Sequence, residues 1–155
     1  MDVHQQNYRA KIAEVLIQKL NKRRMAASYA PTVLQARQEI LAMIPAGATI
    51  SRTGSMSLVE MGLWEELAKN PTLTIIDPYA PNLTPEQSAD LRRQGLLADI
   101  MITSSNALTL DGKIVNLDGL GNRVAAMCFG PHKVILVIGM NKVAPDLDTA
   151  MARVK

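Results

Sequence analysis

The sequence predicts an α/β fold, a three-layer sandwich around a mostly parallel sheet. Short apolar strands alternate with helical stretches of about ten residues, which is typical of a parallel sheet covered by helices. Four such strands are predicted, at Ala48–Ser51, Leu73–Asp77, Asp99–Thr103 and Lys133–Ile138. The stretches between them carry helix-start signals, and one Asp-Gly pair indicates a β-hairpin that interrupts the alternation of strands and helices.

The N-terminal part of the chain is predicted to form an amphipathic helix. Its apolar residues recur at helical spacing and define one buried stripe, namely Ile12, Val15, Leu16 and Leu20. The basic run Lys22-Arg23-Arg24 lies at the C-terminal end, where positive charges complement the helix dipole. We favour that role over contact with a membrane or a nucleic acid. We expect the helix to pack on the domain edge or in a homodimer interface.

Capping signals mark the later helices. Three Ser or Thr residues stand three positions before a Gln or Glu, as at a helix N-terminus: Thr32 with Gln35, Ser57 with Glu60, and Thr84 with Gln87. Helix ends are predicted at Pro45-Ala46-Gly47 and at Gly95, and Pro145-Asp146 begins the last helix.

A β-hairpin is predicted between Leu108 and Leu117. Its two short strands flank Asp111-Gly112, a pair that adopts the positive φ angles of tight turns. At 155 residues the chain fits a single domain, 1–155, with an N-terminal helical segment (1–30) and an α/β core (31–155).

Composition argues against several classes of function. The 17 Lys and Arg residues against 14 Asp and Glu give a scattered charge of +3, and aromatic residues are nearly absent, so nucleic-acid binding is not expected. The single cysteine, Cys128, cannot by itself hold a metal or a cluster, and its apolar neighbours predict a buried, inert thiol. The longest apolar run, Val134–Ile138, is far below the ~20 residues of a membrane helix. We expect a cytoplasmic protein with no membrane partner, no metal and no cofactor.

Small, polar or charged loops follow the predicted strands, and in a parallel sheet they share the edge where ligands bind. Thr53-Gly54-Ser55 opens a helix, so its amides either bind a phosphate or carboxylate or simply cap the helix. Glu60, one turn further on, is either a general base or a capping residue, and we favour capping. Ser105 and Asn106 follow the third strand, where they either bind a ligand or bond within a turn.

The segment Asp118–Arg123 is the strongest local signal. Arg123 can grip a carboxylate or phosphate with two N–H groups, and Asp118 can accept a proton. Other ligand-binding candidates, here and after the last strand, are Gly119, Gly121, Asn122 and Lys142. In the alternative interpretation, Asp118 pairs with Arg123 and the glycines only turn the chain.

Five stretches carry a family resemblance: Thr53–Gly62, Ala98–Ala107, Val115–Ala126, Gly130–Val134 and Val137–Val143. On these motifs the chain resembles the LUD-domain proteins associated with lactate utilisation, and the run Asp118–Val124 is the most specific. The resemblance implies a fold like that of ribose-5-phosphate isomerase, glucosamine-6-phosphate deaminase and coenzyme A transferases. It also implies a role in oxidising lactate to pyruvate beside iron–sulfur partner subunits.

Two features depart from the family pattern. Similar members continue past the last helix into a cysteine-rich tail, whereas this sequence ends at Arg153-Val154-Lys155, so cluster chemistry is not expected of it. Relatives tend to carry another small residue or glycine where Arg52 and Thr53 stand. The added arginine is expected to tune the ligand or close the site.

Two hypotheses of function follow. In the one we favour, a non-catalytic subunit of a lactate-oxidising system binds an anionic small metabolite in a cleft. The cleft is formed by Thr53–Ser55, Ser105–Asn106, Asp118–Arg123 and Lys142. In the other, an isomerase-like or acyl-transfer enzyme acts on a phosphorylated or carboxylated metabolite. Asp118 or Glu60 then accepts the proton, while Arg123 and the Gly54-Ser55 amides hold the anion.

Overall fold

The computed structural model describes residues 3–154. The helices are α1 (Val3–Lys22), α2 (Val33–Ala42), α3 (Met56–Glu60), α4 (Leu63–Ala68), α5 (Pro85–Gln94), α6 (Asn122–Cys128) and α7 (Leu147–Val154). The strands are β1 (Thr49–Arg52), β2 (Thr74–Ile76), β3 (Ile100–Thr103), β4 (Ala107–Thr109), β5 (Ile114–Val115), β6 (Lys133–Leu136) and β7 (Val143–Ala144). The chain forms two compact units, one of residues 3–38, 105–116 and 138–154, the other of residues 39–104 and 117–137.

The second unit is built on a four-stranded sheet in the order β2-β1-β3-β6. All neighbouring strands run parallel, and Ile50 of β1 pairs with Ile75 of β2 on one side and Ile100 of β3 on the other. Every residue of β3 is buried, which explains why its sequence is a continuous apolar run and does not alternate. The four predicted strands and the α/β class are confirmed, with strand ends displaced by at most two residues.

The core of this unit comes from the two inner strands and the helices that cover them. Its largest fully buried apolar side chains are Ile50, Leu58, Leu63, Leu67, Met101 and Ile102. Burying a side chain of this size contributes about 1.5–3 kcal/mol. The inner strands are therefore the most firmly held part of the unit.

The first unit contains a three-stranded sheet in the order β5-β4-β7. Strands β4 and β5 form the predicted antiparallel hairpin, whereas β7, which the sequence did not predict, joins β4 in parallel. Helix α7 packs on this sheet over a small core of Ala107, Ala144 and Ala150, with Val115 beside it. Three alanines let the helix and the strands approach closely.

The hairpin turn differs from the predicted one. The N–H of Gly112 donates to the carbonyl of Thr109 (2.8 Å), and the N–H of Thr109 donates to the carbonyl of Lys113 (2.9 Å). Only Gly112 has a positive φ, at 84°, whereas Asp111 does not. The loop therefore has three residues and ends in a left-handed glycine, a form that needs only one positive φ.

The stripe predicted for α1 is partly wrong. Ala13 and Leu16 are buried, Ile12 and Leu20 are half-buried, but Val15 is 45 % exposed. Adjacent helical positions lie about 100° apart, so a stripe centred on Leu16 turns Val15 toward solvent.

Two of the three predicted capping pairs are confirmed. The Thr32 hydroxyl accepts from the N–H of Gln35, and Thr84 and Gln87 form a reciprocal capping box with Pro85 at the first helical position. The pair Ser57 and Glu60 is wrong, because α3 begins two residues earlier than predicted, with Ser55 at the N-cap position. Ser57 then lies inside the helix and cannot cap it.

The predicted helix ends are close to the observed ones, although the physical reason differs from one helix end to the next. Helix α2 stops at Ala42, before Pro45-Ala46-Gly47, and α5 stops at Gln94 with Gly95 as its cap. Gly95 has an ordinary helical φ of −58°, and what requires glycine is that a Cβ there would lie 2.6 Å from Ser51 Oγ. Helix α7 begins as predicted, because Asp146 accepts from the N–H of Thr149.

Gly130, between α6 and β6, is predicted to be essential for stability. Its φ is +147°, and an added Cβ would lie 2.6 Å from the carbonyl oxygen of Leu96. We expect Gly130→Ala to lower the free energy of unfolding by about 1–3 kcal/mol in urea titrations. The control Gly119→Ala meets no atom within 4 Å and should change it by less than about 0.5 kcal/mol. Equal effects of the two changes would contradict the prediction.

Asp111 is predicted to make stability depend on acid pH. Hydrogen bonds from Lys113 and Thr109 lower the pKa of Asp111 from 3.8 to about 2. Because the folded pKa is depressed, this stabilisation is present above pH 3.8 and is lost as the pH falls to about 2. The difference in unfolding free energy between the protein and Asp111→Asn should shrink over that interval. Lys113→Met should raise the pKa of Asp111 in an NMR titration, and an unchanged pKa would refute this account.

Candidate functional site

The carboxyl ends of β1 and β3 form the topological switch point of the parallel sheet. The chain passes from β1 to β2 on one side, whereas β3 leads to β6 on the other. Open α/β sheets bind ligands in the crevice between two such strand ends. Arg52 ends β1 and pairs with Ile102 of β3, and the buried Thr53 hydroxyl donates to the Ile102 carbonyl at 3.0 Å. The predicted loop Thr53–Ser55 therefore begins at the switch point.

Arg123 reaches the same edge from α6. Its Nη1 donates to the carbonyl oxygen of Ser104 at 3.0 Å, and its Nη2 donates to that of Leu117 at 2.7 Å. Ser104 directly follows β3, whose neighbour β1 lies one strand spacing away, about 5 Å. The guanidinium group is thus held at the end of the central strand.

Asp118 binds the main chain of its own loop. Its Oδ2 accepts from the N–H of Arg123 (2.8 Å) and from that of Val124 (3.1 Å), at the first turn of α6. Within residues 3–154 the carboxylate contacts the main chain of Arg123 and not its guanidinium. The alternative in which the two side chains form an ion pair is therefore wrong.

The second candidate base, Glu60, lies at the exposed end of α3. Its carboxylate makes no hydrogen bond or ion pair with a side chain in the part of the chain that the structure describes. One of the two proposed proton acceptors is thus engaged in capping, and the other faces solvent.

The other members of the segment Asp118–Arg123 shape the loop. Gly121 is the N-cap of α6 and has a φ of 80°, which favours glycine. A Cβ on Gly119 would meet no atom within 4 Å, so this glycine is not required by packing. Asn122 is the first residue of α6 and is half-buried.

Three predicted site residues belong to the first unit. The Ser105 side chain is almost fully buried, with its hydroxyl 2.9 Å from the carbonyl oxygen of Val115 and 3.0 Å from that of Ala107. The carbonyl of Asn106 accepts from Nε of Arg153, and Lys142 ends a short 3-10 turn. Ser105 thus ties the hairpin together. That these residues share a site with the Asp118–Arg123 loop stays a prediction.

The sequence analysis missed a cluster of side chains beside the Thr53–Ser55 loop. Arg52 Nη1 lies 2.6 Å from Asp77 Oδ2, and its guanidinium carbon lies 5.4 Å from the centre of the Trp64 ring. The N–H of Tyr79 donates to Asp77 Oδ1 at 2.9 Å. The signal was the segment Asp77-Pro78-Tyr79, which begins at the last residue of the predicted second strand and directly follows the observed one.

Cys128 is exposed, so the prediction of a buried thiol is wrong. Within α6 only Ala126 is buried, because the helix is short and turns one narrow face inward. Among residues 3–154 no group of three His, Cys, Asp or Glu side chains is arranged to hold a metal ion. No helix in the same range is long and apolar enough to cross a membrane.

A four-stranded parallel sheet flanked by helices places the chain in the α/β class of domains. A family model for the LUD domain matches residues 13–155, nearly the whole chain. The chain belongs to the LUD-domain family, which is associated with lactate utilisation. No curated protein and no solved structure gives a significant match.

Asp118 is predicted to stabilise α6 through its carboxylate oxygen. Asp118→Ala leaves two backbone N–H groups without their acceptor and should lower the free energy of unfolding by about 0.5–2 kcal/mol. Asp118→Asn keeps an acceptor oxygen and should cost less. Glu60→Ala, at an exposed position, is the control and should change stability by less than about 0.5 kcal/mol. Chemical denaturation of the three variants checks the order, and a neutral Asp118→Ala would refute it.

Proposed function

We propose that this LUD-domain chain is a cytoplasmic subunit that binds an anionic small metabolite at the carboxyl ends of β1 and β3. In this proposal it serves the oxidation of lactate to pyruvate beside iron–sulfur partner subunits. The family membership supports the metabolic setting. The ligand site rests on the position of Arg123.

The anchoring of Arg123 is the observation that carries the proposal. Carbonyl oxygens of Ser104 and Leu117 position the guanidinium group. Arginine binds carboxylate and phosphate groups strongly through paired N–H donors. A charge held at a switch point, where ligands of such sheets bind, supports an anionic ligand.

The isomerase-like or acyl-transfer alternative has less support. Proton transfer needs an acceptor within hydrogen-bond reach of the reacting atom. Asp118 caps α6, and Glu60 faces solvent at the end of α3. A binding role is therefore preferred to a catalytic one.

Arg123→Ala should weaken anion binding by about 1.5–3 kcal/mol, which is roughly 10- to 150-fold, because it removes a charged hydrogen-bond donor. Calorimetric titrations with lactate, pyruvate and inorganic phosphate measure this loss. The matched control is Arg93→Ala, which removes an exposed arginine paired with Asp90 on α5. Circular dichroism of both variants checks that the fold is retained. Equal binding by the two variants would refute the site.

The metabolic role is tested in cells. A strain of the source organism that lacks this chain should fail to grow on lactate as its carbon source. The wild-type chain should restore growth, and Arg123→Ala should not. Normal growth of the deletion strain on lactate would contradict the proposed role in lactate oxidation. The calorimetric titrations would still test whether Arg123 binds an anion.

A further inference from the structure

Three buried polar atoms near the end of β1 have no hydrogen-bond partner among residues 3–154. They are Nε of Arg52, Oγ of Ser55 and Nε1 of Trp64. Buried polar groups are almost always paired, and leaving one unpaired costs about 1–3 kcal/mol. Three of them in the short segment 52–64 therefore call for a functional explanation.

All three atoms can donate a hydrogen bond. The indole and guanidinium nitrogens only donate, and the serine hydroxyl can donate or accept. Trp64 is only 4 % exposed, and its ring lies against the Arg52 guanidinium. What this cluster lacks is an acceptor oxygen.

The charge of the cluster determines whether a negatively charged or an uncharged acceptor oxygen binds there more favourably. Arg52 is paired with Asp77 at 2.6 Å, and both side chains are about one quarter exposed, at 25 % and 23 %. The pair is nearly neutral, and Asp77 would repel a second full negative charge. Hydroxyl or carbonyl oxygens of an uncharged group fit these donors better, and Asp77 can accept from a hydroxyl.

Tyr79 covers the loop at this point. A Cβ on Gly54 would lie 2.8 Å from the Tyr79 hydroxyl oxygen, so the phenol lies directly over this glycine. Its ring is flanked by Arg92, whose guanidinium carbon is 5.4 Å from the ring centre. Tyr79 is 46 % exposed, so its ring is not part of the core. The three donors are buried in the present arrangement, and access for a ligand requires a covering side chain such as Tyr79 to move.

We propose that Arg52, Ser55 and Trp64, covered by Tyr79, bind the hydroxylated carbon chain of the same metabolite whose acidic group is held by Arg123. This inference rests on the proposed function and names its ligand class: an acid or phosphate ester with several hydroxyl groups. Lactate has one hydroxyl group, next to its carboxylate, and can accept from few of the three donors. A ligand with several hydroxyl groups satisfies more of them.

The single tryptophan of the chain, Trp64, gives a direct readout, because a ligand beside it changes its fluorescence. The probes are gluconate and ribose 5-phosphate, compared with lactate and inorganic phosphate. We expect at least one hydroxylated probe to bind at least about tenfold more tightly than both small anions, the effect of one or two added hydrogen bonds.

Substitutions test whether the preference for hydroxylated probes depends on this cluster. Ser55→Ala removes one of the three donors and should reduce the affinity for the hydroxylated probe by about three- to tenfold, leaving the binding of lactate and phosphate unchanged. Tyr8→Phe, at an exposed position on α1, is the control and should have no effect. Thermal unfolding of each variant separates loss of binding from loss of fold.

The outcomes distinguish the two proposals. If all probes bind alike and all depend on Arg123, the proposed function stands and the hydroxylated ligand is refuted. The same holds if the preference survives Ser55→Ala. If no probe binds in an Arg123-dependent way at millimolar concentration, the proposed function fails, and the inference fails with it.

Discussion

The complete burial of β3 is the constraint on which the candidate site depends. The strand is paired on both edges, with β1 and β6, and all four of its residues are buried. Two carbonyl groups at its end then act as anchors, since Ile102 accepts from Thr53 and Ser104 accepts from Arg123. The loops after β1 and before α6 are thereby attached to the most rigid part of the unit. A ligand that contacts both loops meets groups that are already in place.

The motif Asp118–Arg123 is explained by how a short loop can both begin a helix and position an arginine. The spacing of five residues brings the Asp118 carboxylate to the main-chain N–H groups of Arg123 and Val124. Gly121 supplies the left-handed turn that allows the chain to fold back. The carboxylate stabilises the helix start, and the guanidinium extends to carbonyl oxygens. In this short segment the Asp118 carboxylate therefore fixes the loop, whereas the Arg123 guanidinium supplies the positive charge.

Local signals predicted much of the fold. The four parallel strands, the hairpin and the caps at Thr32 and Thr84 follow from patterns of a few consecutive residues. Strand β7 was missed because two residues carry no periodicity, and the cap at Ser57 was wrong because the helix already begins after Ser55. The exposure of Cys128 depends on which face of α6 meets the sheet, and no local pattern contains that information.

The candidate site was predictable only in part, for the same reason. The loops after β1 and β3 and the Arg123 segment were identified because each is polar by itself and follows a strand or precedes a helix. The contact of Arg52 with Asp77 arises because β2 lies beside β1, and its contact with Trp64 arises because α4 packs near the end of β1. Neither arrangement can be read from the local sequence. The two arginines also differ in a way that only the structure reveals. Arg52 is paired with a carboxylate, whereas Arg123 donates to the carbonyl oxygens of Ser104 and Leu117. A ligand bound as proposed has its acidic group at Arg123 and its uncharged oxygens at Arg52.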